Sequence, residues 1–348
     1  MAKLLFFFRK NAAAFVMIAF VAFFYSLLYF SNRGVEKEVP EGETKRTERL
    51  SSEELKQKEE LFKKNLQTRP EVLTAVSLGF LAVLSAGFAT NLFILIQKSR
   101  GSFSVPRTRD HANVPWGLGD VLFVYAFLFF IEAVIVFCEI AAGALFNLKF
   151  VEKDLFLMLN SLLRDILVAG IVVYLVARRF RQPVTEIGLT LKGFFKNIWL
   201  GVAGYTAIIP LLLIVLFVLA ALAQLFHYEP KPQPVVEIYL TEHKENYLIF
   251  FTFFVALVGP AIEEIFFRGF TYKALRTRYG IKWGVIGSAA IFAALHMNFM
   301  AFFPIFVLGV FLAYLYEKTG SLVPCMTVHM LHNLIMVCLT LGFKSLSV

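Results

Sequence analysis

Long apolar runs separated by short charged stretches set the pattern of the chain. Alternation of apolar and polar residues at period two, the mark of a membrane β-barrel, is absent from these runs. A helix crossing about 30 Å of hydrocarbon needs roughly 20 apolar residues at 1.5 Å each. That length fits eight or nine stretches, at about 11–31, 72–97, 118–146, 156–177, 198–226, 247–267, 283–297, 299–316 and 322–342. The expected fold is therefore all-α, a polytopic transmembrane bundle of about 8–9 spans with a polar intramembrane cavity. The first run follows Lys3, Arg9 and Lys10 as a signal peptide would, but it continues past twenty residues without an evident small-x-small cleavage site, and it reads as an uncleaved anchor.

Composition agrees with the pattern: 58% of the 348 residues are hydrophobic, 16% aromatic and 17% charged, too apolar for a soluble globular chain. The formal net charge of +9 bears on orientation rather than on nucleic acid. Loops 98–111, 177–197 and 268–282 are basic, whereas 147–155 and 227–246 mix signs and 31–71 carries ten basic and ten acidic residues. The positive-inside rule then places the N-terminus and the three basic loops in the cytoplasm. The lack of an N-x-S/T sequon favours a prokaryotic inner membrane over a secretory one. Cys138, Cys325 and Cys338 each lie in an apolar run, with no spacing that makes a disulfide framework or thiolate metal site.

Residues 1–110 read as an N-terminal anchor region, two spans joined by the charged segment 32–71, and residues 111–348 as a second domain whose motif core is 247–342. In the charged segment, Ser51 with Glu54 three residues on is the spacing of a capping box for a helix running to about Gln67. Loop 227–246 holds Pro230, Pro232 and Pro234 and is expected to be extended. No internal repeat supports an inverted-repeat transporter.

Ionisable groups within apolar runs cost roughly 2.5–3.5 kcal/mol each on insertion scales, so each calls for a partner or a purpose. In Gly259-Pro260-Ala261-Ile262-Glu263-Glu264-Ile265-Phe266-Phe267-Arg268, Glu264 and Arg268 are helical i,i+4 neighbours suited to pairing, while Glu263 points about 100° away toward another task. Pro260 removes a backbone donor, which frees the Ala256 carbonyl in an α-helix and favours a kink. His296 follows Phe292 by four residues, and His329 precedes Asn333 by four and shares its helix face. A carboxylate, imidazoles and a neutral amide are what water activation requires. Glu263, His296 and His329 would equally serve as a zinc ligand set with an open position for water. Spacing leaves both chemistries open.

The ordered motifs Glu263-Glu264-x-x-x-Arg268, Phe292-x-x-x-His296 and His329-x-x-x-Asn333 resemble those of the CPBP family of intramembrane proteases, which includes the CAAX prenyl endopeptidases and the bacterial Abi proteins. The resemblance covers roughly 180–342 and is strong in 259–333. It implies a helical membrane fold with a conical cavity and peptide-bond hydrolysis inside it. By resemblance, Glu263 and His296 activate the water, His329 and Asn333 hold the oxyanion, and Glu264 and Arg268 position the site. The implied partners are a membrane-associated protein or peptide substrate and the lipid bilayer, with no nucleic acid. No cofactor is firmly implied; a divalent metal is the alternative, and His332 is an additional imidazole beside the last motif. The competing functions are a non-catalytic scaffold or immunity-type protein, and a proton-coupled transporter using the same groups as a relay.

Counting 1.5 Å per residue, His296 lies deeper than Glu263 and His329, so one of these spans must be short, tilted or broken. Two further features compete for attention. Glu132 and Arg164 fall at matching depths and are expected to form a structural ion pair. Gly117-Leu118-Gly119-Asp120 has the G-x-G-D string of presenilin-type proteases, but no tyrosine-aspartate pair precedes it, so Asp120 is expected merely to open the third span.

Overall fold

The computed structural model describes residues 12–35, 50–100, 113–146 and 153–347. All regular structure among them is helical. Two compact units result, one of residues 1–49 and 114–183 and the other of 50–113 and 184–348.

The first unit holds α1 (Ala12–Val35), α4 (Leu118–Phe146) and α5 (Lys153–Tyr174), the last continuing into a π-helical turn, Leu175–Arg179. Phe20 meets Phe130 edge-on at 5.3 Å where α1 packs on α4. Asp120 accepts from the Gly117 amide at 3.0 Å in the first turn of α4, and its other oxygen lies 3.5 Å from Arg179. The G-x-G-D string thus caps one helix and ties it to the end of another. Arg164 donates to Glu132 at 3.1 Å, as the matching depths require, and also reaches the adjacent Asp165 at 3.3 Å. A double-mutant cycle between positions 132 and 164, read by thermal unfolding, is expected to give a coupling of about 0.5–3 kcal/mol. Additivity would remove the pair.

The second unit contains α2 (Ser52–Thr68), α3 (Pro70–Ser99), α6 (Phe194–Leu225), α7 (Pro234–Thr241), α8 (Glu245–Phe253), α9 (Gly259–Glu264), α10 (Lys273–Ala294), α11 (Phe299–Thr319) and α12 (Leu322–Leu346). The expected capping box closes α2: Ser51 Oγ accepts from the Glu54 amide at 3.2 Å while Glu54 accepts from the Ser51 amide at 2.8 Å. Those hydrogen bonds, the backbone one first, hold the Glu54 carboxyl below its ordinary value. The helix docks on the end of α12. Phe62 packs on Phe343 at 5.0 Å, Asn65 donates to the Leu346 carbonyl at 3.0 Å, and Lys56 meets Glu229 at 2.6 Å. Asn65 thereby satisfies one of the carbonyls that the last turn of α12 leaves open.

Loop 227–246 departs from the extended path expected of its prolines. Pro230 and Pro232 lie in extended chain, but Pro234 starts α7, since a proline at the first helical position loses no hydrogen bond there. Ile238, Tyr239 and Leu240 are buried as α7 packs on α12, and the Tyr239 hydroxyl donates to Thr252 Oγ1 at 3.1 Å. Burial pushes that phenol above its ordinary value.

Among the described residues, seven helical stretches are long and apolar enough to cross a membrane, Pro70–Ser99, Leu118–Ala142, Leu155–Arg179, Phe194–Leu225, Glu245–Ala294, Phe299–Thr319 and Leu322–Leu346, and α1 adds the apolar segment Ala12–Phe23. The stretches expected at 247–267 and 283–297 both lie within the run Glu245–Ala294, and the first expected stretch lies on α1. That run folds back on itself. Gly280 (φ 81°, ψ 173°) breaks it, and Gly284 comes so close to Arg276 that an added Cβ would stand 3.0 Å from the Arg276 backbone. The returning limb, 281–294, spans only about 21 Å at 1.5 Å per residue, short of the bilayer's hydrocarbon thickness. This is the short, broken span that the depth count required.

Candidate active site

The run carrying the two glutamates is not uniformly α-helical. It passes from α8 into a π-helical turn at Phe254–Val258, through α9, and into a second π-helical stretch, Ile265–Tyr272. Pi-helical turns inside longer helices occur frequently at functional sites. Here the first one changes which carbonyl Pro260 leaves open. In the i→i+5 register, seen in the Gly259 amide donating to Phe254 O, the missing Pro260 N–H orphans Val255 O rather than Ala256 O. Asn333 on α12 donates its side-chain amide to Val255 O at 2.9 Å.

Glu264 and Arg268 form the centre of the cluster. Their side chains are 0% and 1% exposed, and Arg268 Nη1 donates to Glu264 Oε1 at 3.1 Å, the i,i+4 pair read from the spacing. Arg268 Nη2 donates to the Gly309 carbonyl on α11 at 3.3 Å, and its guanidinium lies 4.5 Å from the Phe292 ring centroid. A buried charge tolerates so dry a place when hydrogen bonds and an aromatic face replace water.

His329 bridges the two adjacent carboxylates. Its Nδ1 lies 2.9 Å from Glu264 Oε1 and its Nε2 lies 3.6 Å from Glu263 Oε2. Nδ1 is the donor to Glu264, which leaves Nε2 facing Glu263. Glu263 is the accessible partner, its side chain 34% exposed against 4% for His329. The second oxygen of Glu264, Oε2, is buried without a hydrogen-bond partner, which makes the site sensitive to any loss of charge compensation.

His296 lies just past α10, in the turn before α11, and its Nδ1 donates to the Phe292 carbonyl at 2.9 Å. A carbonyl can only accept, so this bond fixes the tautomer and leaves Nε2 as an acceptor. The Phe292 ring stands edge-to-face with His296 at 5.0 Å and with His329 at 5.6 Å, so both imidazoles are oriented by one aromatic wall. Asn298 fixes the far side of the turn: its Oδ1 accepts from the Ala301 amide at 3.0 Å and its Nδ2 donates to the Lys231 carbonyl at 3.0 Å.

Glu263, Glu264, Arg268 and His329 are thus joined by direct contacts, His296 joins them through Phe292, and Asn333 is tied to Val255. His332 turns to α6 instead, its Nδ1 3.4 Å from the Tyr205 hydroxyl. The Val255 and Gly309 carbonyls and the Phe292 ring act in the site without having been assigned a part by sequence reasoning. Phe292 had a signal in its spacing to His296; a backbone carbonyl has none. Among the described residues, no three His, Cys, Asp or Glu side chains stand close enough to share a metal ion.

Fold and site together define a polytopic helical membrane protein with a buried Glu–Arg–His network set in helices interrupted by π-turns. Residues 245–335 match the family model described as type II CAAX prenyl endopeptidase, Rce1-like, and the match takes in all three motifs. The resemblance read from the motifs holds over that segment, which points to a protease. No curated protein and no solved structure gives a significant match.

Proposed function

We propose that the protein is an intramembrane endopeptidase that hydrolyses a peptide bond of a membrane-associated protein or peptide with a water activated by Glu263 and His296. The observation that carries this reading is the pair of unequal carboxylates on His329: Glu264 buried and tied to Arg268, Glu263 more accessible and facing the opposite imidazole nitrogen. One acid is committed to the pair with Arg268, and the other, the more accessible, is the proposed carrier of the proton.

In this mechanism Glu263 takes a proton from the water, whose oxygen attacks the scissile carbonyl, while the lone pair on His296 Nε2 orients the water through its other hydrogen. The oxyanion accepts from the second hydrogen of the Asn333 amide, and from His329 Nε2 when that ring is imidazolium. Glu263 then returns its proton to the leaving nitrogen as the C–N bond breaks, acting as acid where it had acted as base. Glu264 and Arg268 hold His329 and do not touch the reacting atoms. The metal-dependent alternative would draw on Glu263, His296 and His329, with an ion supplying Lewis-acid activation of the water.

The setting we propose is a prokaryotic inner membrane with the N-terminus in the cytoplasm. Purified protein in proteoliposomes is expected to cleave a membrane-tethered peptide, and to do so equally before and after chelation. Asn333→Ala is expected to slow turnover roughly 10²–10³-fold. Turnover within a few-fold of wild type would remove Asn333 from the oxyanion site. No cleavage of any membrane-tethered peptide would leave the scaffold reading in its place.

A further inference from the structure

The end of the second unit where α11 finishes and α12 begins carries an exposed surface that the catalytic reading does not use. Two patches meet the solvent or lipid there. The first spans the turn before α6 and its first turns: Leu191, Phe195 and Trp199 are 80%, 77% and 72% exposed and spaced by four residues. Lys192 and Lys196, both exposed, flank that apolar stripe. The second is the reversal around Gly280, where Arg278, Tyr279, Ile281, Lys282 and Trp283 are all exposed and the Lys282 ammonium lies 5.5 Å from the Trp283 ring centroid. The two patches belong to the same end of the unit. Gly201 on α6 packs against Pro324 and Thr327 at the start of α12, and Arg276 donates to Glu317 near the end of α11 at 2.9 Å.

The acids at this end are turned to other work. Glu317 holds Arg276 and accepts from the Tyr272 hydroxyl at 2.6 Å, and Glu186 lies 3.5 Å from Lys273. Among the described residues, no carboxylate pairs with Lys192, Lys196, Arg278 or Lys282. The local backbone is also preorganised: Thr190 Oγ1 accepts from the Lys192 amide at 3.2 Å and Asn197 donates to the Lys192 carbonyl at 3.2 Å.

We propose that these two patches form an edge that binds anionic phospholipids, the aromatic and aliphatic side chains seated in the headgroup layer and the four basic side chains on the lipid phosphates. Tryptophan and tyrosine favour that layer because one end of the ring is apolar and the other polar, and long basic side chains reach from it to anionic headgroups. Interleaved aromatics argue for a lipid surface over an acidic soluble protein, since a stripe at 191, 195 and 199 would otherwise stand in water.

Each patch carries its own reporter, because two of the three tryptophans are Trp199 and Trp283 and the third, Trp116, is buried. The full chain would be reconstituted in mixtures of phosphatidylcholine with phosphatidylglycerol, with bromine on the acyl chains of one lipid or the other, and tryptophan quenching measured. Trp283→Phe isolates the first patch and Trp199→Phe the second; both positions are exposed, so neither change empties a core. The relative binding constant for phosphatidylglycerol over phosphatidylcholine is expected to be about fivefold or more at each tryptophan. It should fall toward one in Lys192→Gln/Lys196→Gln at Trp199, in Arg278→Gln/Lys282→Gln at Trp283, and at 1 M salt, where the screening length drops to about 3 Å. Equal quenching by the two lipids in the wild-type protein would overturn the proposal, and so would a preference that survives loss of the charges. An acidic soluble peptide that binds the solubilised protein through the same lysines, with no lipid preference, would assign the edge to a protein partner instead.

Discussion

Glu263→Gln is expected to abolish cleavage while leaving the protein folded. Glutamine keeps the shape and the helical fit of glutamate but takes up no proton, so the water loses its base and the leaving nitrogen its acid. General acid–base groups contribute roughly 10²–10⁴ in rate, and in the proposed mechanism one side chain supplies both transfers. The side chain is 34% exposed and glutamine leaves no buried charge behind, so the unfolding temperature should move little. The measurement is turnover of a tethered peptide in proteoliposomes alongside thermal unfolding of the same preparation. Turnover within a few-fold of wild type would deny Glu263 the role of base, and loss of folding would show a structural role that its exposure argues against.

Arg268→Ala is expected to act the other way, through stability first. It removes the guanidinium that pairs with Glu264, strands a fully buried carboxylate whose Oε2 already lacks a partner, deprives the Gly309 carbonyl of a donor, and empties the space beside Phe292. Breaking a buried pair from one side costs roughly 3–5 kcal/mol. Lysine is no rescue, because a point charge cannot reach Glu264 and Gly309 with a fork. Replacing both partners, Glu264→Leu with Arg268→Met, should recover much of the stability, since no charge is then stranded, yet leave His329 without the acceptor on Nδ1 and cleavage still impaired. A destabilisation below about 1 kcal/mol for Arg268→Ala would contradict the buried-pair account.

The two variants separate what the motif Glu-Glu-x-x-x-Arg leaves merged. Adjacent glutamates on a helix must point apart, and the i,i+4 rule identifies Glu264 as the partner of Arg268, so the choice of Glu264 over Glu263 for that pair was legible before any fold was known. The same local logic reaches the Ser51–Glu54 capping box and the Glu132–Arg164 pair, since both rest on spacing or depth. It falls short at His329. Its four-residue offset from Asn333 is correct, but α12 delivers the ring to Glu264 and the amide to Val255, acceptors that come from a different helix. It also falls short at Pro260, where an α-helical count frees Ala256 and the π-register frees Val255.

What the sequence determined is whatever hydropathy and short-range geometry dictate: a membrane bundle built of helices, the cap at Ser51, the charge asymmetry of the loops, and which ionisable residues need a purpose. Each follows from the lipid's refusal of unsatisfied polar groups or from contacts within one turn of helix. The reversal at Gly280, the docking of α2 on the end of α12, the carbonyls of Val255 and Gly309 as acceptors, and the single Phe292 ring behind both imidazoles were decided by tertiary structure. They depend on close approach between segments tens of residues apart, and on backbone groups that are the same at every position, so nothing in the local order of side chains could specify them.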